Sequence, residues 1–548
     1  VALGAAVAAP AEASFSTVAF WIAMAGLVSL AVTITGIVAG YATENLSLRV
    51  SDHVTDVMHG KSIAADLGFY EDATFHDTLH RAQQQAPFRP TNIVNSLKQT
   101  LQSSLTLLGI VALLFTFHWA VGLALLVAAL PAGILRLIYA RQLFRFEQSC
   151  SELERQTWYY HWLVSSLDYA REIRLLGIGR LFADRYTTLR RQLREGRLKI
   201  SAKRSLRDIL AQGTATLALY GTLIVMASYA IQGGMTIGVV VMYFQGYQRA
   251  LMALQNVLKG LAWLYEDNLF LKHFYTFLDL PSRVEQAEGK ANIPQPAEYG
   301  LVCSNLNFTY PSRDRATLNG VDLHVRPGEV VALIGANGAG KTTLVKLLCR
   351  LYDPESGEIF WEDEPLTTFL PQAWRRQVSV VSQEFAHFDM TIGENIWLGD
   401  VEKESKPEDI LVAAKKSGSD QLIKQFPDGL ETLLGTQFSS GQEISVGEWQ
   451  KLALARAWFR DANLLILDEP SSALDPLAEA NLIRSFREVI GQRSALIISH
   501  RLSTARLADR IYVMEKGCTR ENGTHEELLQ QNGIYANFYR TQAEHYQP

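Results

Sequence analysis

The chain has 548 residues, 48% of them hydrophobic, with 51 Lys and Arg against 56 Asp and Glu for a formal net charge of −5. That length exceeds a single ordinary domain, and the slightly acidic balance argues against nucleic acid as a partner. The four cysteines, Cys150, Cys303, Cys349 and Cys518, lack metal-ligand spacing and are expected to be free thiols.

Much of the hydrophobic content lies in long uncharged runs of the first half, near residues 15–42, 101–118, 120–140, 210–232 and 236–265. Each run is long enough to cross a hydrocarbon core of about 30 Å, which takes about twenty helical residues. Stretches such as Gly109 to Phe115 continue without a polar face, so buried helices of a soluble protein do not account for them. Arginine and lysine crowd the segment from Arg141 to Arg207, whereas the turns at His118-Trp119 and Gln232-Gly233-Gly234 have none. The positive-inside rule puts the long basic segments in the cytoplasm, as solvated helical stalks. The last run carries Gln245, Gln248 and Arg249. Arg249 falls about 20 Å down a helix starting near Thr236, at about 1.5 Å per residue. A charge within a span is by default a functional candidate. These three residues are therefore candidates to line a substrate cavity and to favour a carboxylate or phosphate. An arginine in the watery end of the span, or paired within a dimer, is the alternative reading.

Residues 1–280 are thus expected to form an all-α polytopic membrane domain. Residues 281–297, with Pro281, Gly289, Pro294 and Pro296 among charged residues, read as a linker. Residues 298–548 read as an α/β nucleoside-triphosphate-binding domain. Within it, the apolar run Val330 to Ile334 predicts a buried strand and Thr343 to Leu348 a helix, with Gly335-Ala336-Asn337-Gly338-Ala339-Gly340-Lys341-Thr342 between them. Glycines at these spacings let backbone N–H groups curl around phosphates at a helix N-terminus. Lys341 is placed to reach the β- and γ-phosphates and Thr342 to ligate Mg²⁺. Leu464 to Asp468 is a second strand pattern that ends in Asp468 and Glu469, followed by Pro470. Asp468 suits Mg²⁺ held through water, and Glu469 suits polarising the attacking water. Ser445 and Glu448 have capping-box spacing at the start of a helical segment, and a helix start of that kind is an anion site.

The order of these motifs resembles the nucleotide-binding domain of an ATP-binding cassette transporter. Gln383, after Val380-Val381-Ser382, looks like the family's Q-loop glutamine. Ser445 and Gly447 match the signature motif, and Asp475, after Ser472-Ala473-Leu474, matches the D-loop. His500, after Leu496 to Ser499, matches the switch histidine, and Tyr310 matches the aromatic that stacks on adenine. The signature reads Ile-Ser-Val-Gly-Glu where the family usually has Leu-Ser-Gly-Gly-Gln, and Thr432 to Gln437 replaces the family's crosstalk segment.

The resemblance implies a catalytic set of Glu469, His500 and Gln383. It implies an ATP-binding set of Tyr310, Gly335, Asn337, Gly338, Gly340, Lys341, Thr342, Thr343, Ser445, Gly447 and Asp475, with Mg²⁺ held at Thr342, Gln383 and Asp468. One copy of each motif implies a half-transporter of the type I exporter kind that pairs with a second copy of itself or with a related half. The expected function is an ATPase driving export or flipping of an amphipathic peptide, lipid or drug-like substrate. The expected location is a membrane, the bacterial inner membrane, with the nucleotide domain in the cytoplasm. The alternative is an ATP-gated regulatory protein that hydrolyses little. Family exporters have six spans, so the first is expected to be absent from this sequence, the other reading being a five-span protein. Coupling contacts are expected around Phe69 to Asp77 and Leu167 to Leu176.

Overall fold

The computed structural model describes residues 15–71, 89–115, 151–232, 236–282, 284, 288–311, 313–470, 487–501 and 505–544, with short pieces between 134 and 150. The chain divides into two compact units: Val1–Ile63 with Ala73–Leu280, and Ala64–Asp72 with Pro281–Pro548.

The first unit is helical. Its long helices are α1 (Phe15–Ile63), α2 (Arg89–Phe115), α3 (Ser151–Ser165), α4 (Leu167–Leu176), α5 (Gly179–Ile231) and α6 (Ile237–Leu278). Among the described residues three helices are long and apolar enough to cross a membrane, lying within Phe15–Ile63, Arg89–Phe115 and Gly179–Ser228. α1 continues well beyond the apolar run at 15–42. Its hydroxyls turn inward: Thr33 and Thr35 donate to the carbonyls of Ser29 and Ala31 at 2.9 and 2.8 Å. That arrangement satisfies polar groups where no water would. α5 changes character along its length, basic from Arg180 to Arg207 and apolar beyond Leu210. The predicted run at 120–140 lies largely outside the described residues. α6 is long enough to span but is interrupted by Gln245, Gln248 and Arg249.

α2 packs along α6 around Leu114, Tyr243, Tyr247, Ala250 and Leu254, with Ala215, Leu219 and Met226 of α5 completing this core. Gly260 permits the close approach, because a Cβ there would lie 2.0 Å from Thr100 Oγ1. Nearby, Arg89 pairs with the buried carboxylate of Asp267 at 3.0 Å. Gln245, Gln248 and Arg249 lie on the exposed side of α6 while Tyr243, Tyr247 and Ala250 are buried. The amphipathic α4 ends at Gly177, whose left-handed φ of 65° closes the helix by N–H bonds to Arg174 and Ile173 carbonyls.

Among its described residues the second unit carries two sheets. The antiparallel one has the order β2-β1-β4-β5, from β1 (Leu301–Phe308), β2 (Leu318–Val325), β4 (Ser356–Trp361) and β5 (Glu364–Pro365). The larger has the order β10-β9-β3-β8-β7-β6, from β3 (Val330–Gly335), β6 (Val378–Val381), β7 (Leu464–Asp468), β8 (Ser494–Ile498), β9 (Arg510–Glu515) and β10 (Cys518–Gly523). Strands β9, β3, β8, β7 and β6 run parallel. β3, β7 and β8 are buried along their whole length, which is why they read as unbroken apolar runs rather than alternating ones. Helices α7 (Lys341–Leu348), α8 (Ile392–Trp397), α9 (Pro407–Ser417) and α10 (Val446–Phe459) follow in this unit. The last three share one core with the sheet through Ile396, Ala413, Leu452 and Trp458, α8 and α9 packing against α10 and α10 against β6.

Candidate nucleotide site

In an open parallel sheet, ligands bind beyond the carboxyl ends of the strands. Four of the predicted residues sit there because four neighbouring strands end there. β3 runs into the phosphate loop, β6 ends two residues before Gln383, β7 ends at Asp468, and β8 ends two residues before His500. The register places Asp468 opposite Ile498 and Val381 opposite Leu467, so these tips are level.

The loop fits only with glycine at its tight points. A Cβ at Gly335 would fall 2.3 Å from the Met514 carbonyl oxygen, and one at Gly340 2.6 Å from Leu318. Gly340 has φ 101°, a conformation L side chains rarely adopt. Lys341 Nζ folds back to the carbonyls of Gly335 and Ala336, at 2.7 and 3.2 Å. Its burial lowers the ammonium pKa, while Glu469 and Asp468 act in the other direction.

Thr342 Oγ1 donates to Asp468 Oδ2 at 3.4 Å. Burial pushes the Asp468 carboxyl up to about 6, the neighbouring Glu469 charge adds to this, and Lys341 and Thr342 oppose it. Two adjacent carboxylates beside a single lysine form a donor set that suits a divalent cation. Glu469 has φ 52°, a rare backbone state for a non-glycine residue that clusters at functional sites. Its N–H donates to Ile498 O at 2.9 Å, and Gln450 Nε2 donates to its carbonyl at 3.3 Å. Its two carboxylate oxygens face Gln383 Nε2 at 3.4 Å and His500 Nδ1 at 3.0 Å.

One cavity of about 600 Å³ is lined by Tyr310, Asn337 to Thr343, Gln383, Asp468 and Glu469, together with Glu71, Arg313, Thr317 and Lys346. A second of about 360 Å³ is lined by Ile334 to Asn337, Gln383, Glu469, His500, Arg501 and Phe538. Tyr310 and Thr343 share a hydroxyl hydrogen bond of 3.1 Å. Ser445 and Gly447 line neither cavity. Ser445 caps α10 instead: its hydroxyl and its N–H both donate to Glu448 Oε2, at 2.7 and 2.8 Å, and Val446 beside it is exposed. Asp475 lies outside the described residues. Glu71, Arg313, Lys346 and Gln450 were not among the sequence candidates. Two of them carried a signal: Lys346 lies on the helix that leaves the phosphate loop, and Glu71 falls in the Phe69 to Asp77 stretch expected to make coupling contacts, of which residues 72–77 lie outside the described residues.

The model of the ABC transporter family matches residues 318–472. The subtilin transport ATP-binding protein SpaT of Bacillus subtilis is 31% identical over 480 residues, covering 87% of this chain and 77% of the relative. The chain belongs to the ATP-binding cassette exporters. The nisin transport ATP-binding protein NisT of Lactococcus lactis subsp. lactis is 29% identical, covering 94% of this chain and 86% of its own. The ATP-dependent lipid A-core flippase of Escherichia coli (strain K12) is 28% identical, with coverage of 93% and 86%. A solved bacterial Atm1-family ABC exporter with ATP bound superposes with a TM-score of 0.84 at 22% identity, over 99% of this chain and 94% of that one, which shows the fold. The chain is an ATP-binding, integral membrane protein of export type whose ATPase is coupled to transport.

Proposed function

We propose that the chain exports or flips an amphipathic substrate, a peptide or a lipid, as a homodimeric half-transporter in a bacterial inner membrane. The observation that carries this is the convergence of Lys341, Gln383, Asp468, Glu469 and His500 at the tips of adjacent parallel strands, in a chain that also has membrane-length helices. The names of SpaT and NisT describe transport of subtilin and of nisin, and that of the lipid A-core flippase describes flipping of a lipid, by relatives of similar length.

In this reading Tyr310 stacks on adenine, and the backbone N–H groups of Gly338 and Gly340 bind phosphate oxygens. Lys341 exchanges its backbone acceptors for the β- and γ-phosphates. Thr342, Asp468 and Gln383 would hold Mg²⁺, which when bound neutralises phosphate charge. Glu469 takes a proton from the attacking water, and His500 holds the Glu469 carboxylate in place through its ring nitrogen. Ser445 and Gly447 face a second copy's nucleotide, consistent with their lying off the chain's own cavities. ATP bound between two cassettes then drives closure, and hydrolysis releases it.

One observation favours the low-turnover alternative. The Ser445 hydroxyl that should meet a phosphate is already donated to a carboxylate, Glu448. The test of the export reading is ATP turnover in lipid nanodiscs titrated with amphipathic peptides of either charge or with glycolipids. A saturable change in rate with one class supports export and identifies the class. Turnover indifferent to both contradicts it.

A further inference from the structure

The nucleotide cavity has one wall that the cassette motifs do not supply. Glu71 follows the short helix Leu67–Tyr70, in the segment Ala64–Asp72 that belongs to the nucleotide-binding unit although it lies more than two hundred residues upstream of it. Its carboxylate is engaged by both oxygens. Lys346 Nζ donates to Oε1 at 2.6 Å, and the Tyr352 hydroxyl donates to Oε2 at 2.7 Å. Burial raises the Glu71 pKa, but these two donors outweigh it and hold the carboxyl below its ordinary value.

Both donors also touch Tyr310. The Lys346 ammonium lies 5.2 Å from the Tyr310 ring centroid, within cation–π range. The Tyr352 ring meets the Tyr310 ring edge-on, with centroids 5.6 Å apart and planes at 85°. Arg313 adds a second cation 5.6 Å from the same centroid. Gly68, three residues before Glu71, fits against the Tyr352 ring, where a Cβ would come within 3.2 Å. The segment is therefore seated on the aromatic cluster of Phe308, Tyr310 and Tyr352.

We infer that Glu71 is a positioning residue for the base-binding end of the site, tethering Lys346 and Tyr352 so that Tyr310 is held ready to stack on adenine. This rests on the reading of Tyr310 as the adenine platform. Without the carboxylate, Lys346 is free to swing across the Tyr310 ring or toward the triphosphate, and Tyr352 loses the acceptor that fixes its tilt. Base binding then weakens while the phosphate loop, Asp468, Glu469 and His500 are untouched.

The test uses the full chain in lipid nanodiscs. KM and kcat for ATP are measured for Glu71→Ala, Glu71→Gln, Lys346→Ala, the Glu71→Ala/Lys346→Ala pair and Tyr310→Ala, with the inhibition constant of inorganic tripolyphosphate, which lacks a base. Glu71→Ala is expected to raise KM by about two- to fivefold, as suits a partly exposed ion pair, with kcat and the tripolyphosphate constant unchanged. Glu71→Gln, which keeps an acceptor for Tyr352, falls between. The double variant exceeds neither single variant, because both act on one linkage. A fall in kcat at unchanged KM would overturn the proposal and leave the segment a relay of motion. Equal weakening of ATP and tripolyphosphate would overturn it too, by showing general damage to the site. An unchanged KM in Tyr310→Ala would instead defeat the platform reading itself.

Discussion

His500 Nδ1 lies 3.0 Å from Glu469 Oε1, joining the tips of two adjacent parallel strands across the carboxylate proposed to activate water. The other oxygen of Glu469 faces Gln383 at 3.4 Å. The carboxylate is thus oriented from both sides, and its left-handed backbone fixes the direction from which it leaves the strand.

Loss of the His500 ring therefore costs turnover rather than binding. His500→Ala is expected to lower kcat by about 10²-fold or more, the usual scale for disabling a positioned acid–base pair. ATP affinity measured with a fluorescent analogue should stay within twofold of the parent, about the noise of such a comparison. A matching loss of affinity would show that His500 supports the fold of the pocket instead.

Relief of the signature departures should speed the motor. In the capping box, Glu448 holds the Ser445 hydroxyl and sets a negative charge at the start of α10, opposing a phosphate there. Val446→Gly with Glu448→Gln is expected to raise ATP turnover by about two- to tenfold at equal KM, the range of a modest transition-state gain. An unchanged or lower rate would mean that this signature is already suited to its partner.

Glu362 offers a check on the second unit that is independent of nucleotide. This buried carboxylate accepts the backbone N–H groups of Ala297, Glu298, Tyr299 and Gly300 at 2.9 to 3.1 Å. Burial raises its pKa, but the four backbone donors prevail and the carboxyl lies below its ordinary 4.5. An acid whose folded pKa is depressed stabilises the fold above its unfolded pKa and loses that contribution as pH falls through the folded value. Glu362→Ala is expected to cost about 2 kcal/mol by stranding buried donors. In thermal scans of the full chain its midpoint should fall by several degrees at pH 7. The gap between Glu362→Gln and the parent should narrow below about pH 4.5; a gap independent of pH would refute the charge-based account.

The exposed stripe Gln245, Gln248 and Arg249 on α6 predicts charge selectivity. Arg249→Ala should abolish the effect of anionic substrates on turnover while leaving basal ATPase intact. An unchanged substrate preference would remove Arg249 from the cavity.

The phosphate loop, the acid pair and the long apolar helices were legible because each is a local pattern: glycines at fixed spacing, a buried strand that ends in carboxylates, and runs of residues without charge. The capping box of Ser445 and Glu448 was legible for the same reason and is formed. The tethering of Lys346 by Glu71 was not legible, since it joins residues 275 apart through two side chains that each look like ordinary surface charges. Nor could spacing reveal that Tyr310 lies among Arg313, Lys346 and Tyr352, because that cluster exists only once β1, α7 and the Ala64–Asp72 segment come together.

If the proposed function holds, this chain is an active ATP-driven motor in a membrane. The measurement that tests it most directly is ATP hydrolysis by the full chain in lipid nanodiscs, beside a Glu469→Gln control. Steady turnover is expected, falling to background in the control while ATP binding persists. Negligible turnover by the parent despite ATP binding, with amphipathic peptides and glycolipids supplied, would contradict it and point to a nucleotide-gated regulatory protein.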